Sequence, residues 1–87
     1  MGVTYRIVLR PAAMRTLRTI DPADQDRIRG AIALLAHDPR PPGARALRGR
    51  DALRVRVGNY RIIYTVRDDV LQVLVVAIGY RREVYRA

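Results

Sequence analysis

The sequence predicts an α+β domain with two helices, both in its N-terminal half, packed on one face of a mainly antiparallel, twisted β-sheet. Helical spacing of apolar residues fills positions 11–35, whereas strict alternation of apolar and polar residues recurs after position 52. One further alternating segment precedes the helices, which gives the order β-α-α-β-β-β. The 87 residues, 49% of them hydrophobic, allow one domain over residues 1–87.

The first strand and first helix are predicted from the N-terminal 20 residues. Thr4 to Leu9 alternates and is rich in β-branched residues, which is typical of a strand. Pro11 suits the first turn of a helix, where its missing N–H costs nothing. Apolar residues then follow at helical spacing: Met14, Leu17 and Ile20.

The second helix has clear start and stop signals. Asp21 is a helix N-cap residue and Pro22 suits the first helical position. Pro39 cannot continue a helix, so we expect the helix to end near Asp38. Its apolar stripe comprises Ile28, Ala31, Ile32 and Leu35.

The second half of the chain reads as a connector followed by strands. Pro39 to Gly43 is a Pro/Gly-rich connector, and the basic segment from Arg45 to Gly49 is either irregular or a short strand. Leu71 to Ile78 is apolar on both faces, which predicts an interior strand. Three strands are expected at Leu53–Val57, Tyr60–Val66 and Val70–Ile78, joined by turns at Gly58–Asn59 and Asp68–Asp69, with a possible short last strand at Glu83–Arg86.

Arginines alternate with apolar residues in the strand from Leu53 to Val57. Because strand side chains alternate between faces, Arg54 and Arg56 share the face opposite to the apolar residues. Arg61 follows on the next strand, so three guanidinium groups are expected close together. A polyanion such as RNA is the natural partner of this surface, and a solvated sheet face is the alternative.

Charge and composition favour a nucleic-acid partner. The net charge is +9, and all 17 basic residues are arginine, a choice that codon usage could also explain. The size of the positive excess favours nucleic acid. The chain has no cysteine, no basic start followed by an apolar signal region, and no apolar run long enough to cross a bilayer. We therefore expect a cytoplasmic protein without membrane contact.

Side chains for the common catalytic mechanisms are missing. His37 is the one histidine and suits a helix C-terminus, and Glu83 is the one glutamate, so no metal site, cofactor or carboxylate pair is expected. What remains is cationic and phenolic. Cleavage of RNA by its own 2′-hydroxyl needs in-line geometry, stabilisation of the charged phosphorane and proton transfer, which such groups can assist.

Three segments resemble the RelE family of toxins from type II toxin–antitoxin modules. They are Leu47–Gly49, the strand pair Leu53–Tyr64 with its Gly-Asn-Tyr-Arg turn, and Val76–Arg86 with its Arg-Arg-Glu-Val-Tyr-Arg ending. The resemblance runs essentially end to end. It implies a ribosome-dependent endoribonuclease, or mRNA interferase, that cuts mRNA in the A site through 2′-hydroxyl attack and so inhibits translation.

The resemblance also implies roles for individual residues. Arg54 and Arg56 would orient and activate the nucleophile, and Arg61 would stabilise the transition state. Arg81 would protonate the leaving oxygen, and Tyr85 would stack on the target base. Some relatives carry Lys at the positions of Arg54 and Arg56. Arg stays protonated, so the general base remains open between Tyr85 and water.

Further basic residues and partners follow from the same resemblance. The expected partners are a cognate antitoxin (RelB-like or Phd/YefM-like) and the 70S ribosome with its mRNA and 16S rRNA. No cofactor is implied. The arginines expected to contact RNA or the ribosome are Arg45, Arg48, Arg50 and Arg82.

Two other functions fit the same fold. A ParE-like toxin would inhibit DNA gyrase without cutting RNA, and a non-catalytic module would bind RNA only. The strand arginines together with Arg81 and Tyr85 favour cleavage, because ParE relatives generally lack that full set.

Overall fold

A computed structural model describes residues 2–80, which form two helices and one five-stranded sheet. The strand order across the sheet is β1-β5-β4-β3-β2, with β1 parallel to β5 and all other neighbours antiparallel. This confirms the predicted α+β fold and adds one short strand. The elements are β1 (Arg6–Leu9), α1 (Pro11–Thr19), α2 (Pro22–Leu35), β2 (Arg45–Ala46), β3 (Leu53–Val57), β4 (Tyr60–Arg67) and β5 (Gln72–Tyr80).

Both helices begin where the sequence predicts. In α2 the backbone N–H of Ala23 donates to the Asp21 carboxylate at 3.2 Å, so Asp21 is the N-cap. The helix ends at Leu35, before the predicted end near Asp38. The amide of Asp38 still donates to the Leu34 carbonyl at 3.0 Å, so the chain makes one more turn before Pro39 stops it.

The hydrophobic core lies between the helices and one face of the sheet. The helices contribute apolar side chains from the predicted stripes, and β4 and β5 contribute the opposite wall. Tyr64 is fully buried there, on the same face of β4 as Ile62. The buried core residues are Ala13, Leu17, Ile20, Ile28, Ile32, Leu35, Ile62, Tyr64, Val73, Val75 and Ile78.

A β-bulge in β5 keeps the core continuous. Tyr64 pairs with Val75 and Ile63 pairs with Ala77, so Val76 is the extra residue on the β5 side. Strict alternation would send Val75 and Ile78 to opposite faces. The bulge restores them to one face, and both are buried in the core.

Two predicted strand starts were wrong by two residues. The first strand begins at Arg6 rather than Thr4, and the last long strand begins at Gln72 rather than Val70. The turn from Asp68 is longer than expected because Leu71 adopts a left-handed conformation with φ 50°. Gly58 has φ 59°, as the predicted hairpin requires. The expected strand at Glu83–Arg86 lies outside the described residues.

Candidate functional site

The sheet face turned away from the helices carries arginines on three neighbouring strands. Leu53, Val55 and Val57 pack against the core. The alternate residues of β3, Arg54 and Arg56, therefore lie on the opposite face. We call that surface the arginine face, and its members are Arg45, Arg54, Arg56 and Arg61.

Strand register places these arginines opposite one another in two pairs. Arg45 of β2 pairs with Arg54 of β3, and Arg56 of β3 pairs with Arg61 of β4. Cβ atoms of directly opposite residues are about 5 Å apart, and like charges in such positions destabilise the sheet. A bound anion would reduce that cost. The sheet would be more stable if these positive charges were farther apart, so their clustering points to binding of an anion.

Three of the four arginines line one cavity, which we call the arginine cleft. It has a volume of about 380 Å³ and is lined by Gly43, Arg45, Arg54 and Arg56. None of these described lining residues is acidic. Guanidinium groups form bidentate hydrogen bonds with phosphate oxygens and remain protonated at any physiological pH. The cleft can therefore hold one or more phosphate groups of a nucleic acid.

Arg61 lies beside the cleft but is almost fully buried. Only 3% of its surface is exposed, although its neighbour across the strand pair, Arg56, is exposed. On its other side Arg61 pairs with Gly79, which has no side chain to occupy the space over the strand. Arg54 and Arg61 both take part in further interactions. A buried guanidinium attracts a nearby phosphate more strongly than an exposed one does, because the surrounding protein screens the charges less than water.

The other predicted site residues that the structure describes do not line the cleft. Arg48 is exposed in the turn between β2 and β3. Arg50 lines a separate, smaller cavity of about 150 Å³ together with Arg40 and Asp51. Three predicted site residues lie outside the described part of the chain: Arg81, Arg82 and Tyr85.

A polar cluster that sequence reasoning missed anchors the connector between α2 and β2. Arg40 donates to both Asp68 carboxylate oxygens, at 3.1 and 2.9 Å, and the Tyr5 hydroxyl donates to the same carboxylate at 2.6 Å. Hydrogen bonds from Arg40 and then Tyr5 lower the pKa of Asp68 to about 2. No local pattern reveals the cluster, because its members come from three distant segments.

Tyr64 fixes the same connector from within the core. Its hydroxyl donates to the carbonyl oxygen of Pro39 at 2.7 Å, and both residues are buried. Burial raises the pKa of Tyr64 to about 12. Gly43, which lines the cleft, follows four residues later, so the connector joins the core to the cleft wall.

Residues 2–80 contain no group of three or more His, Cys, Asp or Glu side chains placed to hold a metal ion. Within the same residues, neither helix is long and apolar enough to cross a membrane. The chemistry that this part of the chain offers is cationic: binding of phosphates, and stabilisation of negative charge that develops on them.

Comparison with known sequences identifies the family. The model of the "ParE toxin of type II toxin-antitoxin system, parDE" matches residues 7–85. A RelE-like toxin protein of Escherichia coli is 30% identical over 80 residues, which cover 88% of this chain and 83% of that protein.

Solved structures share the fold. The RelBE toxin–antitoxin complex of Mycobacterium tuberculosis matches with a TM-score of 0.81 at 23% identity, covering 93% of this chain and 95% of that one. The isolated RelE toxin of Escherichia coli matches with a TM-score of 0.77 at 24% identity, covering 93% and 90%. A YoeB/ParE toxin of Agrobacterium tumefaciens matches with a TM-score of 0.75 at 16% identity, covering 86% and 96%.

The family model spans nearly the whole chain, and the structural matches include the sheet that carries the arginine face. The chain belongs to the RelE/ParE superfamily and is the toxin of a type II toxin–antitoxin module.

Proposed function

We propose that this toxin is a ribosome-dependent endoribonuclease that cleaves mRNA in the A site. The arginine face supports the proposal, because its arginines form two cross-strand pairs and three of them line a cleft of about 380 Å³ with room for phosphate groups. RNA with its regularly spaced phosphates matches these arginines directly.

The reaction needs few groups from the protein. The 2′-hydroxyl oxygen attacks the adjacent phosphorus, the bond to the 5′-oxygen breaks, and a 2′,3′-cyclic phosphate is left. Arg54 and Arg56, which line the cleft, bind the phosphate and orient it for in-line attack. Arg61 stabilises the charge that develops on the phosphorane. Arg81 supplies the proton to the leaving oxygen, and Tyr85 stacks on the base.

The general base differs from that of relatives that carry Lys in β3. Arg54 and Arg56 stay protonated and cannot accept the 2′-hydroxyl proton. Tyr85 or a water molecule takes that role in this chain. Positive charge around the phosphate lowers the pKa of the attacking hydroxyl, which makes a weak base sufficient.

Two macromolecular partners complete the proposal. Arg45, Arg48, Arg50 and Arg82 contact mRNA or 16S rRNA of the 70S ribosome, which supplies the geometry for in-line attack. A RelB-like or Phd/YefM-like antitoxin covers the arginine face with an acidic and apolar segment that folds on binding. The similar solved structures include four RelBE or RelE–RelB toxin–antitoxin complexes, which supports this second partner.

Primer extension on a translated mRNA, with and without ribosomes, tests the proposal. We expect cuts inside A-site codons only when toxin and translating ribosomes are both present. Arg56→Ala should lower the cleavage rate roughly 100-fold or more if the cleft holds the reacting phosphate. Arg15→Ala is the matched control, because it removes the same charge from an exposed position of α1. Equal rates for both variants would contradict the assignment.

Arg61 needs a separate variant because of its burial. Arg61→Ala would remove a buried side chain and could unfold the sheet, so its loss of activity would be ambiguous. Arg61→Lys keeps the charge but loses the planar, bidentate donor. A folded Arg61→Lys toxin with full activity would show that Arg61 acts through its positive charge alone, whereas a folded but slow variant would show that the planar, bidentate donor is needed.

Inhibition of DNA gyrase is the second candidate, favoured by the match to the ParE family model. A supercoiling assay with purified gyrase separates the two functions. Gyrase inhibition without mRNA cuts on ribosomes would select the ParE-like activity. The arginine face would then be a binding surface for that target.

A further inference from the structure

The connector between α2 and β2 holds the outer wall of the arginine cleft, and its anchors lie far from the cleft. β2 has only two residues, and it is the edge strand of the sheet. Its first residue, Arg45, must stay opposite Arg54 although two arginines in those positions repel each other. A two-residue pairing is a weak restraint against that repulsion. A further restraint on the chain next to Arg45 would therefore stabilise this wall of the cleft.

The Asp68 carboxylate supplies that restraint. It binds Arg40 of the connector through two hydrogen bonds, at 3.1 and 2.9 Å, and accepts a third from the Tyr5 hydroxyl at 2.6 Å. A bidentate pair fixes the direction of a guanidinium as well as its distance. Asp68 follows β4 at the end that is remote from the Arg56–Arg61 pair, and it does not line the cleft.

Only a few residues of the connector separate the anchored Arg40 from the residues that line the cleft. Adjacent to Arg40, Pro39 is fixed by the hydroxyl of Tyr64 at 2.7 Å. The amide of Ala44 donates to the carbonyl of Pro41 at 2.9 Å, which tightens the chain immediately before Arg45. Gly43, within this turn, lines the cleft. The length of free chain between anchor and wall is therefore short.

We propose that Asp68, through Arg40, is a positioning residue that holds Arg45 and Gly43 against β3 and so keeps the arginine cleft closed around a phosphate. The inference rests on the proposed RNA-binding function of the cleft. Loss of the anchor lets the β2 wall move away from Arg54. The toxin then loses affinity for RNA although no group that touches RNA has changed.

Asp68→Asn and Asp69→Asn form a matched pair of variants. Both remove one negative charge from adjacent exposed positions, and both break a carboxylate–arginine pair. Asp69 pairs with Arg67, two residues away in the same turn, at 3.1 Å. Only Asp68 reaches the connector. The net charge changes equally in both variants, so a difference in RNA binding comes from the different contacts that the two carboxylates make.

The probe is a single-stranded 2′-O-methylated oligoribonucleotide, which keeps its phosphates but cannot be cut through a 2′-hydroxyl. We expect Asp68→Asn to raise the Kd for the probe roughly fivefold. This is the change expected when only about one fifth of the toxin molecules have a closed cleft that can bind. Asp69→Asn should bind within about twofold of the unaltered toxin, since the closed population is unchanged. Equal affinities for the two variants would overturn the proposal.

A double-mutant cycle shows whether Asp68 acts through the cleft wall. In an Arg45→Ala background, Asp68→Asn should cause no further loss of affinity, because the wall residue that it positions is already gone. An additive loss would mean that Asp68 acts elsewhere. Equal melting temperatures of the Asp68→Asn and Asp69→Asn toxins exclude general unfolding as the cause of a difference.

Hydrogen exchange at the Leu47 amide separates failure of this inference from failure of the proposed function. That amide donates to the Ala52 carbonyl at 3.0 Å and reports closure of β2 onto β3 without any RNA. We expect faster exchange in Asp68→Asn and unchanged exchange in Asp69→Asn. If the unaltered toxin does not bind the probe but exchange still differs, the positioning role stands and binding of free RNA by the cleft fails; the proposed function is then decided by primer extension on ribosomes. If exchange is the same in both variants, the positioning role fails.

Discussion

Removing a single hydroxyl group from the core should destabilise this toxin measurably. Tyr64→Phe deletes the hydroxyl that donates to the Pro39 carbonyl at 2.7 Å and keeps the buried ring. No cavity of consequence forms, because the two side chains differ by one atom. The change therefore isolates the hydrogen bond between β4 and the connector.

The magnitude follows from the burial of both partners. Pro39 is buried, so its carbonyl oxygen has no ready access to water once the hydroxyl is gone. A buried acceptor left without a donor costs about 1–3 kcal/mol in unfolding free energy. For a domain of this size, each kcal/mol lowers the melting temperature by roughly 4–8 °C.

Urea denaturation followed by circular dichroism measures the change. Tyr60→Phe is the control, since the Tyr60 ring packs edge-to-face on Tyr80 at a centroid distance of 5.4 Å and its hydroxyl forms no hydrogen bond with described residues. We expect the control to unfold at nearly the same urea concentration as the unaltered toxin. A loss below about 0.5 kcal/mol in Tyr64→Phe, the range of ordinary surface substitutions, would refute the reasoning.

The same hydroxyl gives an independent alkaline signature. Burial raises the pKa of Tyr64 from 10.0 to about 12. A raised pKa means that the folded state holds the proton more tightly, so this contribution is complete below pH 10 and is lost as the pH rises through 12. Tyr64→Phe should lack that part of the alkaline transition. An identical alkaline transition in both proteins would show that Tyr64 ionises like an exposed tyrosine.

Three further outcomes follow from the caps, turns and ion pairs. Asp21→Ala removes the N-cap of α2 and should cost about 1 kcal/mol by urea denaturation, whereas an unchanged midpoint would mean that the cap is dispensable. Gly58→Ala should cost roughly 1–2 kcal/mol, because alanine must adopt the φ of 59° although nothing lies within 4 Å of its methyl group; full stability would contradict this. Because the pKa of Asp68 is lowered from 3.8 to about 2, the anchor of the connector should be retained above pH 4 and lost towards pH 2. Chemical shifts of the Leu47 amide report that loss, and a midpoint near pH 4 would mean that Asp68 is not paired in solution.

Local signals in the sequence were sufficient for most of the fold. The Asp21–Pro22 start of α2, the Gly58 hairpin and the alternation in β3 each depend on neighbouring residues, and each was predicted correctly. The face on which Arg54 and Arg56 lie followed from the same alternation. Cross-strand pairing of Arg56 with Arg61 followed in turn from the two-residue turn between them.

The missed features all depend on contacts between distant segments. The bulge at Val76 is set by the need to bury both Val75 and Ile78 against helices, which no local pattern encodes. The start of β5 was misplaced because Val70 and Leu71 look like strand residues, whereas Leu71 has a left-handed backbone. The pairing of Arg40 with Asp68 joins the connector to a turn on the other side of the cleft wall. Exposed arginines in a chain with 17 basic residues give no sign of which one is structural.

The parallel pairing of β1 with β5 affects the order in which this toxin folds during its synthesis. Within residues 2–80, β5 is the one strand that lies beside β1, and Arg6 pairs with Gln72, so this pairing forms after nearly the whole chain has been synthesised. The β3–β4 hairpin, by contrast, can form as soon as its turn is made. The arginines of β3 and β4 are therefore in place before β1 pairs with β5 and completes the sheet. An antitoxin that binds before this last step meets a toxin whose sheet is incomplete.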